Sequence, residues 1–219
     1  MAYYDAVLFD LDGTLTDSAP GITKCAALAL DHYGIPYESL DALRVFIGPP
    51  LRLTFPQMGV PEEEVENAVA IFRSRYNTVG KFENKPYEGI VELLAKLKRD
   101  GVHLYVATSK PEGTARDILE KFELTQYFDE IAGATPDASR DTKEKVIAYL
   151  LSVASVNGRP LMVGDTVFDI EGANHTGMDS VGVSWGFGDE RAMLKEGAKA
   201  VVHNMEELFS FIEDGPDSN

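Results

Sequence analysis

Cys25 is the only cysteine in this chain. A lone thiol can form no intrachain disulfide and no cysteine-based metal site, which fits a reducing compartment, so a cytoplasmic location is the expectation. Basic residues are scarce as well: 20 Lys and Arg stand against 36 Asp and Glu, a formal net charge of −16. A surface that acidic repels phosphate backbones and anionic lipid, which argues against nucleic acid and membranes as partners. A small anionic substrate survives this argument only where a metal ion or a placed Lys or Arg reverses the field locally. No apolar stretch approaches the roughly 18–20 residues that cross a bilayer. The opening MAYYDAVLFDLDG holds no basic segment followed by a long apolar run, so no secretory signal is expected. His32, His103, His175 and His203 have no spacing that suggests a metal site.

What is present is ordinary globular material. The 219 residues are 44% hydrophobic and 26% charged, enough for one large domain or a domain plus a small insert. Ala6 to Phe9 read as a short strand buried on both faces. The segment 22–79 reads as all helical. Ile22, Ala26, Ala29, Leu30 and Tyr33 share one face, Gly48-Pro49-Pro50 demands a loop, and Val65, Val69, Phe72 and Tyr76 form a second stripe. From Lys85 onward helices and strands alternate. Strands are expected at 102–108, 128–133, 160–163, 180–183 and 200–202. Helices are expected at 89–100, 111–122, 142–154, 168–176 and 205–212, with a polar tail over 213–219. Alternation with short connections implies an α/β class: a Rossmann-like parallel sheet with helices on both faces and right-handed crossovers. The helical block interrupts it after the first strand. The expected division is 1–17 with 85–219 as an α/β core and 18–84 as a small all-helical cap, a natural lid over the sheet's carboxyl edge.

That edge gathers polar residues from four places. Asp10 and Asp12 follow the first strand, and Gly13 lets the chain turn. Ala107-Thr108-Ser109-Lys110 ends the second, where Thr108 alone reads as an N-cap for the helix that follows. Lys143 opens a helix. Gly164-Asp165-Thr166-Val167-Phe168-Asp169 straddles a strand-to-helix turn, where Asp169 alone reads as a favourable charge at a helix N-terminus. Each bland reading holds singly. Jointly they gather four acids, a hydroxyl and a lysine, and four ionised carboxylates cannot crowd together without a cation. A hard divalent ion suits an all-oxygen site, and Mg²⁺ suits one shared with a phosphate.

FDLDGTLTDS, then VATSKP, then Lys143 at a helix start, then MVGDTVFDIEGA resemble, in order, the four motifs of haloacid dehalogenase-like hydrolases. FIGPPL and the run from GDTVFDIEGANHTG to GDERAMLKEGA resemble the phosphoglycolate phosphatase and 5′-nucleotidase branch. The resemblance implies a Mg²⁺-dependent phosphatase. It makes Asp10 the nucleophile and Asp12 the general acid and then base. Mg²⁺ would be held by Asp10, the Asp12 backbone carbonyl, Asp165 and Asp169. Thr108 would hold a phosphoryl oxygen, Lys143 would offset charge, and backbone N–H groups near Leu11 and Gly13 would complete the phosphate cradle. Ser109 and Lys110 would help to bind substrate. Arg44, Gly48 and Arg52 flank the double-proline loop and either face substrate or are solvated helix charges. Trp185 and Phe187 either shape the pocket rim or pack. The implied partner is a small phosphorylated metabolite, phosphoglycolate or a nucleoside 5′-monophosphate, acted on by a monomer or homodimer. The alternatives are a phosphomutase of the same family acting on a sugar phosphate, and a non-catalytic regulatory protein on this fold. A dehalogenase does not need Asp12. A phosphonate hydrolase would use a cap lysine, and neither Lys24 nor Lys81 has surroundings that argue for a lowered pKa.

Overall fold

Ala6–Phe9 form the first strand, β1, and all four residues are buried. The chain then turns through Gly13 to a two-residue strand, β2 (Thr16–Asp17). Three α-helices follow: α1 (Ala19–His32), α2 (Leu51–Gln57) and α3 (Val65–Tyr76). A second two-residue strand is β3 (Lys85–Pro86). Next come α4 (Ile90–Arg99), β4 (His103–Pro111), α5 (Glu112–Lys121), β5 (Glu130–Ala134) and α6 (Lys143–Val153). The chain ends with β6 (Pro160–Gly164), α7 (Val167–His175), β7 (Asp179–Val183), α8 (Glu190–Glu196), β8 (Val201–Val202) and α9 (Met205–Asp214). The computed structural model describes residues 2–137, 139–154, 156 and 158–216, so the last three residues of the polar tail lie outside it. Two compact units result, Met1–Thr16 with Pro86–Asn219, and Asp17–Lys85.

The first unit is an α/β layer structure. Its six strands lie in the order β5-β4-β1-β6-β7-β8, and all five neighbouring pairs are parallel. Side chains alternate across a strand, and β1 uses both faces. Val7 and Phe9 join Leu94, Leu97, Ile118, Leu208 and Ile212, from α4, α5 and α9. Ala6 and Leu8 join Val146, Ile147, Leu150 and Ala173, from α6 and α7. Burying each large aliphatic side chain contributes about 1.5–3 kcal/mol, so β1 is anchored from both sides. The order reverses at β1: β4 and β5 lie to one side, β6, β7 and β8 to the other. Open α/β sheets form a crevice at such a point. Phe9 aligns with Val106 of β4 and with Val163 of β6, so the residues just beyond all three emerge together.

Two expectations change. The strand expected at 102–108 runs on to Pro111, with irregular pairing between Ala107 and Pro111. Thr108 is therefore not the cap of α5. Pro111 occupies that place with no side-chain cap, and the Thr108 hydroxyl accepts the Lys110 N–H at 3.2 Å. Helix α8 was not anticipated, because its seven residues bury only Met193 and so show no apolar stripe. It is set by its ends: Asp189 accepts the Ala192 N–H at 2.7 Å, and Gly197 stops it at φ +112°.

The second unit is helical. Ile22, Ala26, Ala29 and Leu30 are buried on α1 as the periodicity predicts. Residues Asp41–Phe46 form a 3-10 helix. An aromatic row supplies much of its core, Phe46 to Phe55 at 4.9 Å, Phe55 to Phe72 at 6.4 Å and Phe72 to Tyr76 at 5.4 Å between centroids. Beside it Glu83 pairs with Arg75 at 2.6 Å and with Lys24 at 2.8 Å.

Candidate active site

Three neighbouring parallel strands and two helix starts assemble the site within the first unit. Asp10 follows β1, and its N–H donates to the Val163 carbonyl at 3.0 Å. Thr108 lies in β4, buried at 1% exposure. Asp165 follows β6 and is fully buried, as is Asp169 in the first turn of α7. One carboxylate oxygen from each of Asp10, Asp165 and Asp169 lies within 4.8 Å of the others. Lys143, at the first position of α6, reaches into this cluster. Its ammonium lies 2.8 Å from Asp10 Oδ1 and 2.8 Å from Asp169 Oδ1, and donates to the Ala107 carbonyl at 2.9 Å. Room for the lysine stem comes from Gly172 of α7, where a Cβ would sit 2.7 Å from Lys143 Cγ.

Asp169 does two things at once. Its Oδ2 accepts the N–H and the hydroxyl of Thr166, each at 3.0 Å, in a capping box that starts α7. Its Oδ1 faces Lys143. Asp165 is held at both oxygens. Oδ1 accepts the Thr14 hydroxyl at 3.2 Å, and Oδ2 accepts the Phe187 N–H at 2.8 Å. Glycine surrounds it. A Cβ at Gly13 would lie 2.1 Å from Asp165 Oδ2, and one at Gly186 would lie 2.3 Å from Asp165 Cβ. Trp185 donates its indole N–H to the Thr14 carbonyl at 3.1 Å. Of the two readings the sequence left for Trp185 and Phe187, packing holds for Trp185, which lies against the core, while the hydrogen bonds of Thr14, Trp185 and Phe187 at this site have no sequence signature of their own. The available signal was the string of glycines after β7, which lets that loop lie against a carboxylate.

Asp12 stands apart from the three clustered carboxylates. Lys110, itself buried, donates to Asp12 Oδ2 at 2.5 Å, while Asp12 Oδ1 is buried without a hydrogen-bond partner. Leu11 is fully buried in the core, and its carbonyl accepts the Leu15 and Thr16 N–H groups, each at 3.0 Å. The Gly13 N–H donates to the Thr16 carbonyl at 2.8 Å, which engages it in the turn. Ser109 is exposed on β4. Arg44, Gly48 and Arg52 belong to the helical unit. Arg44 pairs with Asp41 at 2.7 Å, Arg52 pairs with Glu66, and Gly48 has φ +97°.

The cluster crowds three carboxyl groups that could hold a metal ion. Burial, then Asp169 and Asp10, push the Asp165 carboxyl well above the usual carboxylate range. Burial is also the main force raising Asp169, with Lys143 acting against it. Burial would lower the Lys143 ammonium, but Asp10 and Asp169 outweigh it and keep the lysine charged. Asp10 and Asp169 share one ammonium, that of Lys143, while Asp12 pairs with Lys110. Asp10 Oδ1 and Asp169 Oδ1 are buried without a completed hydrogen bond even though Lys143 is close. An all-oxygen donor set with spare acceptors fits Mg²⁺.

A family model described as haloacid dehalogenase-like hydrolase matches residues 7–183. Among curated proteins, the tyrosine-protein kinase PtkA of Mycobacterium tuberculosis is 43% identical over 198 residues, covering 90% of this chain and 68% of its own length. The 5′-nucleotidase of Pseudomonas aeruginosa is 42% identical over 189 residues, covering 85% of this chain and 86% of its own. Proteins named phosphoglycolate phosphatase also match. Among solved structures, a predicted phosphatase from Clostridium acetobutylicum superposes with a TM-score of 0.88 at 42% identity, covering 95% of this chain and 98% of that one.

Proposed function

This chain belongs to the haloacid dehalogenase-like hydrolases and is a phosphatase of that family, and from that premise we propose a Mg²⁺-dependent hydrolysis of a small phosphomonoester through an aspartyl-phosphate on Asp10. The observation that carries this reading is the buried Asp10–Asp165–Asp169 cluster bridged by Lys143.

In this proposal a carboxylate oxygen of Asp10 attacks phosphorus as the ester P–O bond breaks, and Asp12 gives its proton to the leaving oxygen. Asp12 then takes a proton from water as that water attacks phosphorus, and the bond to Asp10 breaks to release phosphate. Lys110 fixes where the Asp12 carboxyl group points. Lys143 offsets charge on Asp10 and on the phosphoryl oxygens, and Thr108 supplies a hydroxyl beside them. When bound among Asp10, Asp165 and Asp169, with the Asp12 carbonyl as a further donor, Mg²⁺ supplies positive charge that binds the phosphate and orients it. A nucleoside 5′-monophosphate is the leading substrate class, supported by the relative of that activity at 42% identity, with phosphoglycolate second. Arg44 and Gly48 of the helical unit are the candidates for selecting between them.

The test is steady-state release of phosphate from an aryl phosphate, nucleoside monophosphates, phosphoglycolate and sugar phosphates, with and without Mg²⁺. Asp10→Asn lowers turnover by roughly a thousandfold or more while the protein stays folded. Activity retained in that variant overturns the nucleophile assignment. Accumulation of an isomeric sugar phosphate would make the chain a mutase. Phosphorylation of a protein tyrosine without phosphate release, the activity that the mycobacterial relative's name gives, would overturn the hydrolytic reading.

A further inference from the structure

We propose that Trp185 is a positioning residue for Asp165 and, as the chain's single tryptophan, a built-in reporter of Mg²⁺ at that carboxylate. The proposal rests on the metal reading above and adds to it. The loop after β7 grips Asp165 by two routes. Directly, the Phe187 N–H donates to Oδ2 at 2.8 Å. Indirectly, the Trp185 indole N–H donates to the Thr14 carbonyl at 3.1 Å, and the Thr14 hydroxyl donates to Oδ1 at 3.2 Å. A Cβ at Gly188 would lie 1.9 Å from the Asp165 carbonyl oxygen, so the loop backbone has no slack against this residue. Tyr87 packs edge-on against the Trp185 ring, 6.4 Å between centroids, which holds the indole in place. Thr14 is fully buried, so its peptide has no water to replace the indole N–H.

A buried carboxylate binds a metal well only when its orientation is set beforehand, and partners of ligating groups govern affinity. Removing the indole N–H frees the Thr14 peptide, lets its hydroxyl drift, and loosens the carboxylate before the ion arrives. The same chain of contacts passes in reverse: an ion that pulls on Asp165 shifts the Thr14 peptide against the indole and changes its emission.

The experiment is calorimetric titration with MgCl₂ alone on the full chain, run beside tryptophan emission. For Trp185→Phe, which keeps a ring but drops the donor, the Mg²⁺ Kd rises about three- to tenfold. Its loss of turnover is overcome by added Mg²⁺, which a generally damaged fold would not allow. In the wild type, emission changes with the same midpoint as the calorimetric heat, and Asp165→Asn abolishes both. A Trp185→Phe Kd within twofold of wild type overturns the proposal, as does emission that stays flat while heat saturates. A wild type with no heat at all overturns the metal reading and this proposal together, and is recognised by that silence. Should Trp185→Phe fail to fold by circular dichroism, Thr14→Val keeps the fluorophore and removes the hydroxyl; an unchanged Kd there overturns the proposal equally.

Discussion

Gly13 shows how tightly single residues are constrained at this site. Its φ is +83°, a conformation that costs a side-chain-bearing residue about 1–2 kcal/mol. A Cβ there would also strike the Asp165 carboxylate. Gly13→Ala is therefore expected to lose about 1–2 kcal/mol or more in urea unfolding and most of its Mg²⁺-dependent turnover. Wild-type turnover in that variant would show that Asp165 has more freedom than its neighbours imply. Asp10, Asp12, Asp165 and Asp169 were legible in the sequence because acids at successive strand ends are poor core material. Trp185 and Phe187 were not, since their hydrogen bonds to Thr14 and Asp165 join residues far apart in sequence. The Lys110–Asp12 pair was hidden for the same reason.

Among the elements, α7 shows why a bland and a chemical reading need not exclude each other. Asp169 closes a capping box with one oxygen and meets Lys143 with the other. Periodicity located the long amphipathic helices and the buried strands. It missed α8, which is set by caps, and it ended β4 early, because the irregular pairing past Ala107 leaves no sequence pattern. Within the helical unit, Glu83 offers a test of its own. The Arg75 guanidinium, with help from Lys24, holds the Glu83 carboxyl down at about 2, below its ordinary 4.5. A depressed folded-state pKa stabilises the fold above about 4.5, and that contribution is lost as pH falls toward 2. Glu83→Gln is expected to be less stable at neutral pH and to lose less stability on acidification through that window. Denaturant unfolding at stepped pH measures this, and parallel pH curves for the two proteins would refute the coupling.

For the molecule as a whole, charge dominates. The chain carries −16, and three of its acidic residues, Asp10, Asp165 and Asp169, are gathered in one cluster. Filling that cluster with a divalent ion should stabilise the α/β unit, since an ion that binds only the folded state at a hundredfold excess over Kd contributes about 2.7 kcal/mol. Thermal unfolding with MgCl₂ should move upward by a few degrees, EDTA should reverse the shift, and Asp165→Asn should remove it. No shift in the wild type would contradict the metal reading. The sequence by itself determined the alternation of elements, the interruption by a helical unit and the acids at the strand ends. Those follow from local periodicity and from the cost of burying charge, which any short window displays. Only the tertiary structure decided which oxygens Lys143 bridges, which carboxylate Lys110 takes and how the loop after β7 grips Asp165. Those depend on parallel strands distant in sequence being brought into register at one edge, and no local pattern encodes a distance between them.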